Sequence, residues 1–483
     1  MIHHHEEHIH HHEHGADAEA QRRKMLETPI PKLIMSLGLP TVASQLVSTI
    51  YNTADTYFVS QIGTSAAAAV GVVFALMSIF QAMGYGVGMG ANSLISRRLG
   101  AGKVEEANRY ASSAFAASFG AGCLIMVLGL IFLEPLMRLL GSTETMLPHS
   151  VAYARIILLG APLITCSFTM NNLLRAEGKA MMAMVGLCTG GILNMGLDPL
   201  FIFTLNMGTA GAALATVLSQ AISFGILLSF YLRGRTVIEL RPGNVSRSVS
   251  DYTLIVTTGA PTFCRQGLAS LASALLNRRA AAFGDAAVAA ITISNKIYLL
   301  VRNIILGIGQ GATPVMGYNY GAGNKKRARE AFGFATKLGT AVCVAAAALL
   351  AWRAGDVITW FRDDPEVIRM GTTALYFACG VMPFMAFSTY VNQLYQSLGL
   401  RVCATFLACC RQGVCFIPLA YLLPWLFGLT GVQMLQPGAD LLTFCISVPF
   451  LIRLFRKELR LDGEPAERIA KNAGGQARGV SNA

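Results

Sequence analysis

Two short polar blocks interrupt stretches that are otherwise apolar enough to lie in hydrocarbon. They are Tyr51-Asn52-Thr53-Ala54-Asp55 and Asn194-Met195-Gly196-Leu197-Asp198-Pro199. Asp55 follows Tyr51 by four residues and Asp198 follows Asn194 by four, so on a helix each acid shares a face with its polar neighbour. A charged Asp at the bilayer centre costs roughly 2.5–3.5 kcal/mol on insertion scales. Such a cost points to a use for the charge, and loading and releasing a cation is the simplest one. Pro199 has no N–H to give the Met195 carbonyl, which frees an acceptor one residue from Asn194. Oxygen ligands at a broken helix suit a hard cation such as Na⁺, and a proton carried by either carboxyl group would serve as well. In the first half these are the only acids well inside a span; the second half has none at that depth, with Asp440 at the outer end of its last span.

The elements that hold these residues are membrane helices. The chain has 483 residues, of which 54% are hydrophobic and 13% charged, against about 25% charged in soluble domains. Forty-eight glycines fit close helix packing. Twelve apolar spans are expected: 33–60, 66–95, 111–133, 151–174, 181–205 and 210–232, then 254–283, 287–318, 332–352, 372–398, 403–426 and 439–455. The net charge of +12 resides in the loops, not in a nucleic-acid-binding face. Arg97, Arg98, Lys103, Arg109, Arg175, Lys179, Arg233, Arg235, Lys325, Lys326, Arg453 and Arg456 gather on one side, while Glu134, Glu144, Asp356, Asp363 and Asp364 lie on the other. The positive-inside rule makes the first side cytoplasmic, with both termini there.

The two halves repeat. At an offset of 221 positions Pro40-Thr41 matches Pro261-Thr262, Gln45 matches Gln266, and Pro162 matches Pro383. Asn171 matches Asn392, and the block from Gly86 to Ala91 matches that from Gly307 to Ala312. Six spans per half give both halves the same orientation, hence a pseudo-twofold axis along the membrane normal and a cavity near the midplane between two lobes. Predicted boundaries are a tail over 1–28, a first lobe over 29–232, a linker over 233–251, a second lobe over 252–458 and a tail over 459–483. Both tails are expected to be disordered.

With these features assembled, residues 33–455 resemble the multidrug and toxic compound extrusion (MATE) family of cation-coupled antiporters. Gly317-Tyr-Asn-Tyr-Gly-Ala322 is similar to the branch of staphylococcal-type bacterial multidrug exporters. The resemblance implies an all-α polytopic fold of twelve helices in two six-helix lobes. It also implies a cation site built from Tyr51, Asp55, Asn194, Asp198 and Thr216. The implied activity is export of amphipathic organic compounds, cations being the expected class, in exchange for Na⁺ or H⁺ across the bacterial inner membrane. The partners would be small organic substrates and membrane lipids, with no nucleic acid, no cofactor and a functional monomer.

Polar residues that could line the cavity are Gln45, Asn171, Asn172, Arg265, Gln266, Lys296 and Asn392. For each, an interhelical hydrogen bond or a structural partner for backbone carbonyls is the competing role. The basic second half keeps a flippase for lipid-linked glycans or lipids as the alternative function. A static receptor or channel needs neither the repeat nor the buried acids. No P-loop and no G-x-S-x-G elbow is present, and His149 has no partner set, which excludes an enzyme or ATP-driven pump. The eleven cysteines read as small apolar side chains. His3, His4, His5, His8, His10, His11, His12 and His14, interleaved with glutamates, read as a tail with incidental transition-metal affinity and no structural metal site.

Overall fold

The computed structural model describes residues 16–460, which are helices and short connections. The first half comprises α1 (16–27), α2 (Ile30–Ser60), α3 (Thr64–Gly100), α4 (Val104–Ile131), α5 (Leu133–Leu139), α6 (Leu147–Leu159), α7 (Ala161–Ala176), α8 (Ala180–Pro199) and α9 (Gly208–Leu232). The second half comprises α10 (Val249–Ala281), α11 (Asp285–Gly321), α12 (Lys325–Trp352), α13 (Ala354–Phe361), α14 (Pro365–Ser397), α15 (Arg401–Cys409), α16 (Phe416–Phe427), α17 (Leu429–Gln433) and α18 (Leu435–Lys457). The protein is an all-helical polytopic membrane protein.

Among the described residues ten helices are long and apolar enough to cross a bilayer, or eleven when the bent pair α6 and α7 counts as one. The expected twelfth is α10, whose 33 residues give length enough. Its apolarity falls short because Arg265, Gln266, Arg278 and Arg279 all lie on it. α6 and α7 meet at 54°. Gly160 stands at the joint, with Val217 where a side chain would go. The matching stretch of the second half has Val381 there, and α14 runs unbroken past Pro383.

The repeat is visible as packing. A side chain on Gly90 would collide with the Ile255 carbonyl and crowd Gly259, while one on Gly311 would collide with Gly38. Residues 90 and 259 become 311 and 38 when the halves are exchanged at the sequence offset. Gly86 against Phe263 and Gly307 against Val42 form a second exchanged pair, and Gly100 against Tyr318 and Gly321 against Arg97 a third. The two halves therefore meet about a pseudo-twofold axis, α2 and α3 against α11 and α10. All three pairs lie toward the end of the bundle that bears the basic loops, and glycine lets the backbones touch there.

Two segments outside the expected spans, the N-terminal tail and the linker, are packed at that same end. Residues 16–27 form a helix, correcting the disordered tail predicted over 1–28; the eight histidines between His3 and His14 lie outside the described residues, as do residues 461–483. On α1, Arg22 Nε donates to the Gly100 carbonyl at 2.9 Å and Gln21 Nε2 to the Glu177 carbonyl at 2.7 Å. Met25 is fully buried against Gly178, whose φ of +80° favours glycine. From the other half, Arg327 Nη2 donates to the Thr28 carbonyl at 2.7 Å. The linker is equally anchored: Val237 N–H donates to Glu177 Oε2 at 2.6 Å, Glu239 N–H to Asn108 Oδ1 and Ser246 N–H to Ser113 Oγ. Glu177 has no solvent exposure, and burial pushes its carboxyl up to about 7, against the smaller opposing pull of Lys179 and the Val237 and Ile238 amides.

Candidate functional site: a carboxylate pair in one half and an arginine cavity in the other

Asp55 lies five residues before the C-terminal end of the bilayer-length helix α2, and Asp198 lies at the end of α8, just before Pro199. After Pro199 the α8 ladder gives way to a π-helical turn over Leu200–Thr204, which is how the chain accommodates the missing proline N–H. The carboxyl groups of Asp55 and Asp198 face each other, and Tyr153 of α6 faces Asp55 from the side. Asn194 Nδ2 donates to Thr216 Oγ1 at 3.2 Å and to Asp198 Oδ1 at 3.5 Å. Tyr51 closes the site beside Asp55, and Gly191 clears room for its ring; a side chain there would come within 2.9 Å of Tyr51 Cδ1.

All five residues expected at this site are thus brought together, each at most 6% exposed. Three of their oxygens are buried with no hydrogen-bond partner among the described residues: Asp55 Oδ1, Asn194 Oδ1 and Asp198 Oδ2. Buried acceptors without donors are costly, and three hard oxygens in one place are a donor set for Na⁺ or for a proton. Tyr153 went unnoticed in the sequence. It sits near a span end beside His149 and Arg155, and a tyrosine in such a place reads first as an interface anchor.

The seven cavity-wall candidates separate. Asn171 Nδ2 donates to the Ala183 carbonyl at 2.7 Å and Asn392 Nδ2 to the Ala404 carbonyl at 2.6 Å. These repeat-related bonds clamp a helix pair, one in each half. Asn172 bonds within its own helix, to the Phe168 carbonyl. Gln45 Nε2 donates to Gln310 Oε1 at 3.1 Å, and Arg175 Nη1 donates to the same oxygen at 2.7 Å. Arg175, counted from sequence among the loop charges, is 2% exposed and joins the halves instead. Lys296 is exposed, and Gln266 is half-buried.

Arg265 belongs to a second cluster. Together with Arg302 of α11 and Arg411 it lines a small, half-open cavity, whose wall also includes Asn392, Leu306 and Leu407. Arg411 lies on a π-helical turn, Cys410–Val414, between α15 and α16. Its Nε and Nη2 donate to Asp440 at 2.5 and 3.4 Å, and Asp440 also accepts from the Tyr298 hydroxyl and from Gln436. Asp440, placed by sequence at the outer end of the last span, is 1% exposed and lies in the second turn of α18. The eleven cysteines are free thiols.

A profile of the MatE family matches residues 40–200 and 261–422, one copy in each half. The chain is 26% identical to a FAD transporter of Shewanella oneidensis, over 87% of this chain and 94% of that one. It is 27% identical to the multidrug export protein MepA of Staphylococcus haemolyticus, over 84% of this chain and 90% of that one. Among solved structures, one described as the outward-facing conformation of a multidrug resistance MATE family transporter superposes with a TM-score of 0.85 at 28% identity, covering 89% of this chain and 97% of the other. A transporter of the MOP superfamily from Pyrococcus furiosus, described as having a binding pocket of reversed polarity, superposes at 0.84 with 28% identity, over 90% and 98%.

Proposed function

The chain belongs to the MatE family of transporters, and from that premise we propose a secondary antiporter that exports amphipathic organic compounds in exchange for Na⁺ or H⁺. The observation that carries this reading is the buried pair Asp55 and Asp198 with its unpartnered oxygens. A cation bound there, held by Asp55, Asp198, Asn194, Tyr51 and Thr216, would remove net negative charge between α2 and α8 and let the two helices approach. The π-helical turn after Pro199 supplies the joint. Cargo sharing that half would lose volume or a charge partner and leave.

Lobes over 29–232 and 252–458, joined by 233–251, would rock about the pseudo-twofold axis, with α10 as the twelfth span. On the positive-inside reading the glycine-packed end faces the cytoplasm, so the form described here is closed on that side. That would place both termini in the cytoplasm of a bacterial inner-membrane protein that works as a monomer. Cargo need not be cationic: FAD, named for one relative, is an aromatic dinucleotide with a negatively charged pyrophosphate.

The test is cargo flux in inverted vesicles with Na⁺ and pH gradients imposed separately. Flux driven by one gradient and abolished by Asp55→Asn is the expected result. Flux indifferent to both gradients would remove the antiport reading and leave the flippase alternative.

A further inference from the structure

Among the described residues, three buried or half-buried guanidinium groups of the second half surround one cavity, with Asp440 the one carboxylate paired to them. Asp440 is fully engaged, by Arg411, Tyr298 and Gln436. Arg265 has only the Thr262 hydroxyl, at 3.4 Å. Arg302 is 8% exposed and makes no hydrogen bond or ion pair among the described residues, while Arg411 Nη1 is buried without an acceptor.

Arginine keeps its charge in proteins, and a buried guanidinium without an anion is costly. Snorkelling to the membrane surface does not relieve it, since Arg302 stands near the middle of the 37-residue α11. Structural bonding does not absorb the charge either, because Asp440, the carboxylate at hand among the described residues, is taken.

We propose that this cavity is a binding site for an oxyanion, the phosphate or carboxylate of an organic cargo, gripped by Arg265 and Arg302. Two planar forks converging on one opening match the bidentate geometry of such groups. Leu306 and Leu407 offer an apolar wall for the rest of the molecule. Arg411, held by Asp440, adds its charge to the same wall. The inference deepens the antiporter reading and rests on it for the word cargo; the binding itself does not depend on coupling.

The experiment compares three probes of matched body, 1-naphthyl phosphate, 1-naphthoate and 1-naphthylmethylammonium, by calorimetry on the purified full chain. Lysophosphatidate is the lipid-borne source of the same phosphate. The expected result is binding of both naphthyl anions and not the cation. Arg302→Gln and Arg265→Gln should each weaken that binding about tenfold to a hundredfold. Arg302→Lys should restore part of it, and Arg278→Gln, on the exposed part of α10, should change nothing. Arg265→Gln alone decides the matter if Arg302→Gln is not monodisperse. Stronger binding of the cation, or anion binding untouched by Arg265→Gln, would overturn the site. Tighter lysophosphatidate than naphthyl phosphate, still lost in Arg265→Gln, keeps the site and assigns it to a lipid. Anion binding without gradient-driven flux would defeat antiport and leave the site standing; cation flux without anion binding would do the reverse.

Discussion

Asp55 and Asp198 face each other across the α2–α8 contact, so each should matter to transport more than to folding. Asp55→Asn and Asp198→Asn keep the volume of the side chain and supply an N–H to a site rich in acceptors. Both variants should insert and melt like the parent while gradient-driven cargo flux in proteoliposomes falls to background; normal flux in either would remove the coupling role. Asp440 should behave in the opposite way. Replacing it by Asn strands Arg411 beside Arg265 and Arg302, and breaking a buried pair from one side costs about 3–5 kcal/mol. Its thermal midpoint in detergent should drop clearly, and Arg411→Gln added to it should recover part of the loss. The carboxylate pair was legible in the sequence because each acid interrupts a long apolar run at helical spacing. Asp440 and Arg175 were not: near a span end, depth depends on where the helix starts and what covers it. Only the fold shows that α18 begins at Leu435 and that Arg175 turns inward to Gln310.

Among the elements, α10 and α1 departed most from expectation. Hydropathy alone demotes α10 because its arginines are polar, yet two of them are polar on behalf of a cavity and an aromatic neighbour: Arg265 lines the pocket and Arg279 stacks over Tyr421. The α1 segment carries too few apolar residues to announce a buried face, and Met25 finds its place only because Gly178 turns there. Glu177, beneath that contact, gives the region a pH dependence. Its carboxyl is raised from 4.5 to about 7 when folded, so the unfolded or undocked form binds fewer protons between those values. The associated stability is fully present below about 4.5 and is lost as pH rises through about 7. Lys179, Tyr231 and Tyr318 face the same carboxyl; Lys179, with the Val237 and Ile238 amides, favours its ionised form and the two tyrosines do not. Amide exchange over residues 16–27, corrected for intrinsic rates, should therefore be slower at pH 6 than at pH 8. Glu177→Gln should make the two equal; a pH effect surviving that change would assign it elsewhere.

For the whole molecule, the exchanged glycine contacts predict how the two halves separate. Gly90→Val overpacks one copy of the interface, at a cost of about 1–3 kcal/mol, and should shift the population toward separation by roughly 5–150-fold. Maleimide labelling of a single cysteine placed at buried Ser96, in a cysteine-free background, should speed up accordingly; an unchanged rate would mean that the closed end is not held by these contacts. The repeat itself was plain in the sequence, since no packing argument is needed to see an offset of 221. What that offset could not reveal is that α1 is held by both halves at once, by Gly100 and Glu177 on one and by Asn319, whose Nδ2 donates to the Met25 carbonyl at 3.5 Å, on the other. A segment so placed acts as a tethered ligand for one conformation. Its local concentration is fixed by a two-residue connection to α2, so it competes with nothing in solution and is always present. Each cycle must peel it from one anchor, and the work of peeling is subtracted from the affinity of whatever enters at that end. Removing residues 1–27 should tighten apparent cargo binding from the basic side and leave binding at the far side weaker, a trade that no substitution inside either pocket would produce.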